Sequence, residues 1–130
     1  MSDLHITLKT KVSMDHFEEI IVTALEGGSN YWYEINADEF KDELEGENGE
    51  PLSTRIAQSL YNNPDFKMKV YDVEEGDLLG TVTQSSMLKA IGTAHQDYSQ
   101  VYHDLMEGQG DADTADVLFQ LAVMNEIVFG

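Results

Sequence analysis

Phe66, Met68 and Val70 alternate with Lys67, Lys69 and Tyr71, and Glu74-Glu75-Gly76-Asp77 separates this run from a second one, Leu78 to Thr83. Period-2 alternation around a glycine-bearing turn is the pattern of a β-hairpin. A hairpin fixes antiparallel pairing and leaves one apolar face that other elements must cover. The rest of the chain supplies helices for that purpose. Ser13 can cap a helix whose apolar positions Phe17, Ile20, Ile21, Ala24 and Leu25 fall at helical spacing and which ends at Gly27-Gly28. Ser53 to Tyr61 predicts a second helix with Ile56 and Leu60 inward, closed by Asn62-Asn63-Pro64.

Met87, Leu88, Ile91, Ala94, Tyr98, Val101, Tyr102 and Leu105 keep one apolar stripe, read as two helices broken between Gly92 and Asp97. Asp111 or Asp113 can cap a last helix through Val117, Leu118, Leu121, Ala122 and Met124, apolar on most sides and therefore expected in the core. Leu4, Ile6 and Leu8 alternate with His5, Thr7 and Lys9 and predict a half-buried strand, and Tyr31 to Ile35 predicts another. Asn36 to Leu44 reads as a short acidic helix before the exposed loop at 45–51. The sum is one α+β domain over residues 1–130, a small, mostly antiparallel sheet of three to four strands with helices packed on one face.

At 130 residues a single core suffices, and 42% hydrophobic residues exclude a disordered chain. The lack of cysteine excludes disulfides, thiolate metal sites and thiol catalysis, and favours a cytoplasmic setting. Residues 1–12 lack the apolar core of a signal peptide, and no stretch reaches the ~18 apolar residues that span a bilayer. A net charge of −18 repels phosphates and anionic headgroups, so neither nucleic acid nor membrane is an expected partner. A halophile's surface would carry similar acidity merely to stay hydrated.

Standard catalytic patterns are incomplete. Ser29 in Gly27-Gly28-Ser29-Asn30 follows a helix and lacks the second glycine of a nucleophile elbow. Neither phosphate-binding glycine motif occurs. His5, His16, His95 and His103 form no metal-binding spacing, and His95 and His103 would stand about 12 Å apart on a continuous helix. Asp111, Asp113 and Asp116 resemble the start of a calcium loop, but Asp116 stands where the turn glycine belongs, and helix capping accounts for such acids better. The expectation is a non-enzymatic protein without metal or cofactor.

Two surfaces stand out. Glu34, Asp38, Glu39, Asp42, Glu43 and Glu45 lie in a segment whose only basic residue, through Glu50, is Lys41, and Asp72, Glu74, Glu75 and Asp77 cluster at the hairpin tip. Carboxylates on short helices and loops can approximate a row of DNA phosphates, so these residues are the expected contacts to a basic partner protein. The alternative site is Ser29, Asn30, Tyr31, Trp32 and Tyr33, where rings beside glycines can stack on a nucleotide or similar ligand. In a strand Tyr31 and Tyr33 would share one face and Trp32 the other, so one side would look outward.

Ala24-Leu25-Glu26-Gly27-Gly28-Ser29-Asn30-Tyr31-Trp32 resembles an ALEGG-x-x-YW segment of small, uncharacterised phage and mobile-element proteins, and the stretches 111–116 and 125–130 are similar to the same group. The resemblance implies a setting rather than an activity: an accessory protein that blunts a host defence, by DNA mimicry or by sequestering a nucleotide signal.

Overall fold

The computed structural model describes residues 4, 6 and 9–130. Helix α1, Met14–Thr23, starts at Ser13, where the His16 ring folds back and its Nδ1 accepts a hydrogen bond from the Ser13 N–H at 3.0 Å. Phe17, Ile20 and Ile21 are its buried stripe, as the spacing requires. Its last turn widens into a π-helical turn, Ala24–Gly28. A Cβ on Gly28 would lie 2.8 Å from the Ala112 carbonyl oxygen, so glycine lets this end meet the start of the last helix.

Strand β1 is short, Tyr33–Glu34. The predicted strand from Tyr31 fails at its start because the Trp32 and Tyr33 amides both turn back onto the Ser29 carbonyl, at 3.1 and 3.2 Å. The expected acidic helix is replaced by two 3₁₀ turns, Ala37–Glu39 and Lys41–Glu43. A continuous helix would stack Asp38 on Asp42 and Glu39 on Glu43 at i,i+4, a repulsive arrangement. Phe40, 2% exposed, pins the segment between the turns by packing edge-on against Phe66.

Helix α2, Leu52–Asn62, buries Ile56, Ala57 and Leu60. Strands β2, Met68–Asp72, and β3, Leu78–Val82, form the expected hairpin, and the sheet order is β1-β2-β3, antiparallel throughout. Asp72 Oδ1 accepts from the Glu74 and Glu75 amides, and Gly76 takes φ +76, which together close the turn. Helix α3, Gln84–Asp97, is capped reciprocally by Thr83 and Ser86. It continues past the predicted break because Ile91 and Ala94 still face the core, and ends at Tyr98 before α4, Ser99–Met106.

Helix α5, Ala112–Met124, touches α1, α3, α4 and β3 and buries Ala115, Leu118, Phe119, Leu121, Ala122 and Val123. Met68, Val70 and Val82 face this helical layer, whereas Lys67 and Lys69 are exposed. Among the described residues the architecture is therefore a three-stranded antiparallel sheet under five helices, the α+β arrangement expected. The predicted N-terminal strand falls partly outside the described residues, at 5, 7 and 8. Leu4 and Ile6, which are described, lie outside regular secondary structure and are exposed.

Candidate functional site

Sheet register joins the two acidic segments. Tyr33 pairs with Asp72 and Glu34 with Tyr71, while the Val73 amide donates to the Trp32 carbonyl at 2.9 Å. The Tyr71 hydroxyl donates to Glu39 Oε2 at 2.7 Å, a bond that raises the pKa of the phenol. Residues more than thirty positions apart thereby border one depression, lined by Glu34, Asn36, Glu39, Tyr71 and Gly76. On the open sheet face, Glu39, Glu43 and Asp65 meet Lys67, Lys69 and Thr81 around a groove of about 970 Å³.

The acids differ in their freedom. Glu34, Asp38, Asp42, Glu43, Glu74, Glu75 and Asp77 are exposed. Asp72 is committed to the turn, and Glu39 to Tyr71. Glu45 is half-buried, with its amide donating to Ser59 Oγ at 2.8 Å and its carbonyl accepting from Arg55 Nε at 3.0 Å. Lys41 and Asp38, 3.3 Å apart, form the ion pair found among the described residues, and both side chains are largely exposed. Such a pair offsets little charge.

The aromatic segment is built into the fold around Asp116, a residue the sequence reading assigned to helix capping. Asp116 Oδ1 accepts from Ser29 Oγ and Trp32 Nε1, both at 2.7 Å, and Oδ2 accepts from the Tyr31 hydroxyl at 2.5 Å. Burial first, and the Asp116 carboxylate second, push the Tyr31 phenol up to about 12. Ser29 and Trp32 are buried, so their polar groups are satisfied inside the protein and turned away from solvent. Asn30 and the Tyr31 ring remain at the surface. Tyr33 is half-buried, donates to the Leu25 carbonyl at 2.6 Å and packs edge-on against Phe119.

Gln120 completes this clamp. Its side chain is buried; Nε2 donates to Asp116 Oδ2 at 3.2 Å and to the Phe129 carbonyl at 3.1 Å, while Oε1 accepts from the Val128 and Phe129 amides, both at 2.9 Å. Phe129 stacks on Trp32 with ring centroids 5.3 Å apart. The signal for both residues is present in the sequence as a polar i,i+4 pair, Asp116 and Gln120, inside the most apolar helix.

Asp111 is the α5 cap, accepting from the Thr114 amide at 2.9 Å and hydroxyl at 3.1 Å, which holds its carboxyl below the usual range. Among the described residues no group of three His, Asp or Glu side chains is placed to hold a metal ion, and no helix is long and apolar enough to cross a membrane. No protein-family model, curated protein or solved structure matches the chain.

Proposed function

We propose that the protein acts by binding rather than by chemistry, and that its acidic face occupies a basic, nucleic-acid-binding site on another protein. The observation that carries this reading is the junction of the 34–43 segment with the hairpin tip through the β1–β2 register and the Tyr71–Glu39 bond. Glu34, Asp38, Asp42, Glu43, Glu74, Glu75 and Asp77 thereby stand exposed on neighbouring elements of a folded scaffold. Short 3₁₀ turns and a tight hairpin present carboxylates at close spacing, with the exposed Lys41–Asp38 pair offsetting little of their charge. In the setting implied by the resemblance, the partner is a host nucleic-acid-binding or defence protein, and occupancy of its groove inhibits it.

Charge complementarity of this kind raises the association rate and makes it salt-dependent. Affinity capture from bacterial extract at low salt should retain a basic protein that elutes as salt rises and that nucleic acid displaces. Replacing Glu34, Asp42, Glu74 and Glu75 together by Lys should weaken that complex by at least about tenfold at low salt. Unchanged affinity of the quadruple variant would overturn the reading.

A further inference from the structure

Residues 126–130 follow Asn125, which takes the left-handed conformation at φ 62, and they form no regular secondary structure. Among the described residues, every hydrogen bond they make runs to one side chain, Gln120. Its Oε1 accepts from the Val128 and Phe129 amides, and its Nε2 donates to the Phe129 carbonyl. Ile127 and Val128 are exposed, so Phe129 is the residue that packs inward. It lies flat on Trp32, with an interplanar angle of 12°, whereas Tyr33 and Phe119 meet the same indole at 73° and 38°. A segment fastened by one side chain and one ring, with its other apolar residues already in solvent, belongs to the low-stability end of a fold and costs little to release.

The surface beneath that segment is rigid and polar at one point. Trp32 is 2% exposed and Gln120 1%. The indole plane is fixed by Nε1 donating to Asp116 Oδ1, an oxygen that also accepts from the buried Ser29 hydroxyl. A buried glutamine in the most apolar helix carries a desolvation cost unless both ends of its carboxamide are matched. Residues 128 and 129 match them by offering N–H donors and a carbonyl acceptor beside an aromatic ring. An adenine base offers the same set. Its N6 amino group donates, its N7 accepts, a glutamine carboxamide pairs with both at once, and its ring has a flat face for an indole.

We propose that Trp32 and Gln120 form a binding site for an adenine base, and that residues 126–130 cover it as an intramolecular competitor. In the open form the base stacks on Trp32 in place of Phe129, its N6 donates to Gln120 Oε1, and Gln120 Nε2 donates to its N7. The exposed Tyr31 borders the site, its hydroxyl 3.5 Å from Gln120 Nε2. Ser29 and Asp116 act through the indole and are positioning residues. Hypoxanthine and guanine are rejected because their O6 sets an acceptor against Gln120 Oε1. Charge selects a nucleoside over a nucleotide, since Asp116 beside Tyr31 and the net charge of −18 oppose a phosphate. The site shares no residue with the acidic face, so it stands or falls apart from the partner-binding reading.

Trp32 is the single tryptophan, so quenching of its emission reports the stack, and titration calorimetry gives the affinities. The full chain with Phe129→Ala should bind adenosine saturably and at least about tenfold more tightly than the natural chain, because the competing ring is gone. Val128→Pro removes one amide held by Gln120 and leaves the ring in place; it should tighten adenosine binding in the same direction, and it serves as the test if circular dichroism shows Phe129→Ala unfolded. Inosine, which lacks the N6 donor, and 7-deazaadenosine, which lacks the N7 acceptor, should each bind the opened chain about tenfold or more weakly than adenosine does. Gln120→Leu added to the opened chain should abolish that preference. A folded, opened variant that binds no adenosine, equal adenosine affinity in natural and opened chains, or equal affinity for the three nucleosides would each overturn the proposal.

Discussion

Asp116 does the work of several contacts at once, and it shows why single-residue roles escape sequence reading. An acid in the first turns of a helix is ordinarily a solvated or capping group. Here it accepts from Ser29, Tyr31 and Trp32, more than eighty positions earlier. Removing it strands the buried Ser29 and Trp32 donors, so Asp116→Ala should destabilise the protein by about 3 kcal/mol, and Asp116→Asn, which keeps one acceptor oxygen, by roughly half of that. Urea unfolding followed by the emission of Trp32, the single tryptophan, measures both. Tyr31 gives a pH signature of the same bond. An unfolded tyrosine titrates near 10, whereas Tyr31 is pushed up to about 12, so the fold favours the neutral phenol. Its contribution is fully present below about pH 10 and is lost as pH rises toward 12. Stability of the natural chain should therefore fall more steeply over that window than stability of Tyr31→Phe; parallel curves would show that the hydroxyl is not held.

At the scale of elements, periodicity identified α1, α2 and the hairpin with their inward faces, because each repeats an apolar stripe over several turns or pleats. It misplaced elements where local chemistry competes with the stripe. The 36–44 segment has Phe40 as its one fully buried anchor and like charges at i,i+4, so two 3₁₀ turns replace a helix. The junction of β3 with α5 was equally hidden. A Cβ on Gly80 would stand 2.0 Å from the Val123 carbonyl oxygen, a rigid backbone group. Gly80→Ala must push β3 off α5 and should cost about 1–3 kcal/mol or more, read as a lowered melting temperature. A thermally neutral Gly80→Ala would mean that the sheet and helix are looser than the structure has them.

For the whole molecule, −18 spread over a surface with the single described ion pair Lys41–Asp38 means that folding concentrates unpaired negative charge. Raising salt from about 0.01 M to about 1 M shortens the screening length from about 30 Å to about 3 Å. The melting temperature should rise by several degrees over that range, and a flat response would show that the carboxylates already stand too far apart to repel. The sequence by itself determined the class of fold, the antiparallel hairpin, the apolar faces of α1, α2 and α5, and the placement of acid in two stretches, because periodicity and composition are local properties. Tertiary structure alone decided that the two acidic stretches adjoin and that Ser29 and Trp32 turn inward onto Asp116. Those outcomes depend on which distant surfaces meet, and a sheet register or a carboxylate shared by three donors is set by packing across the whole chain.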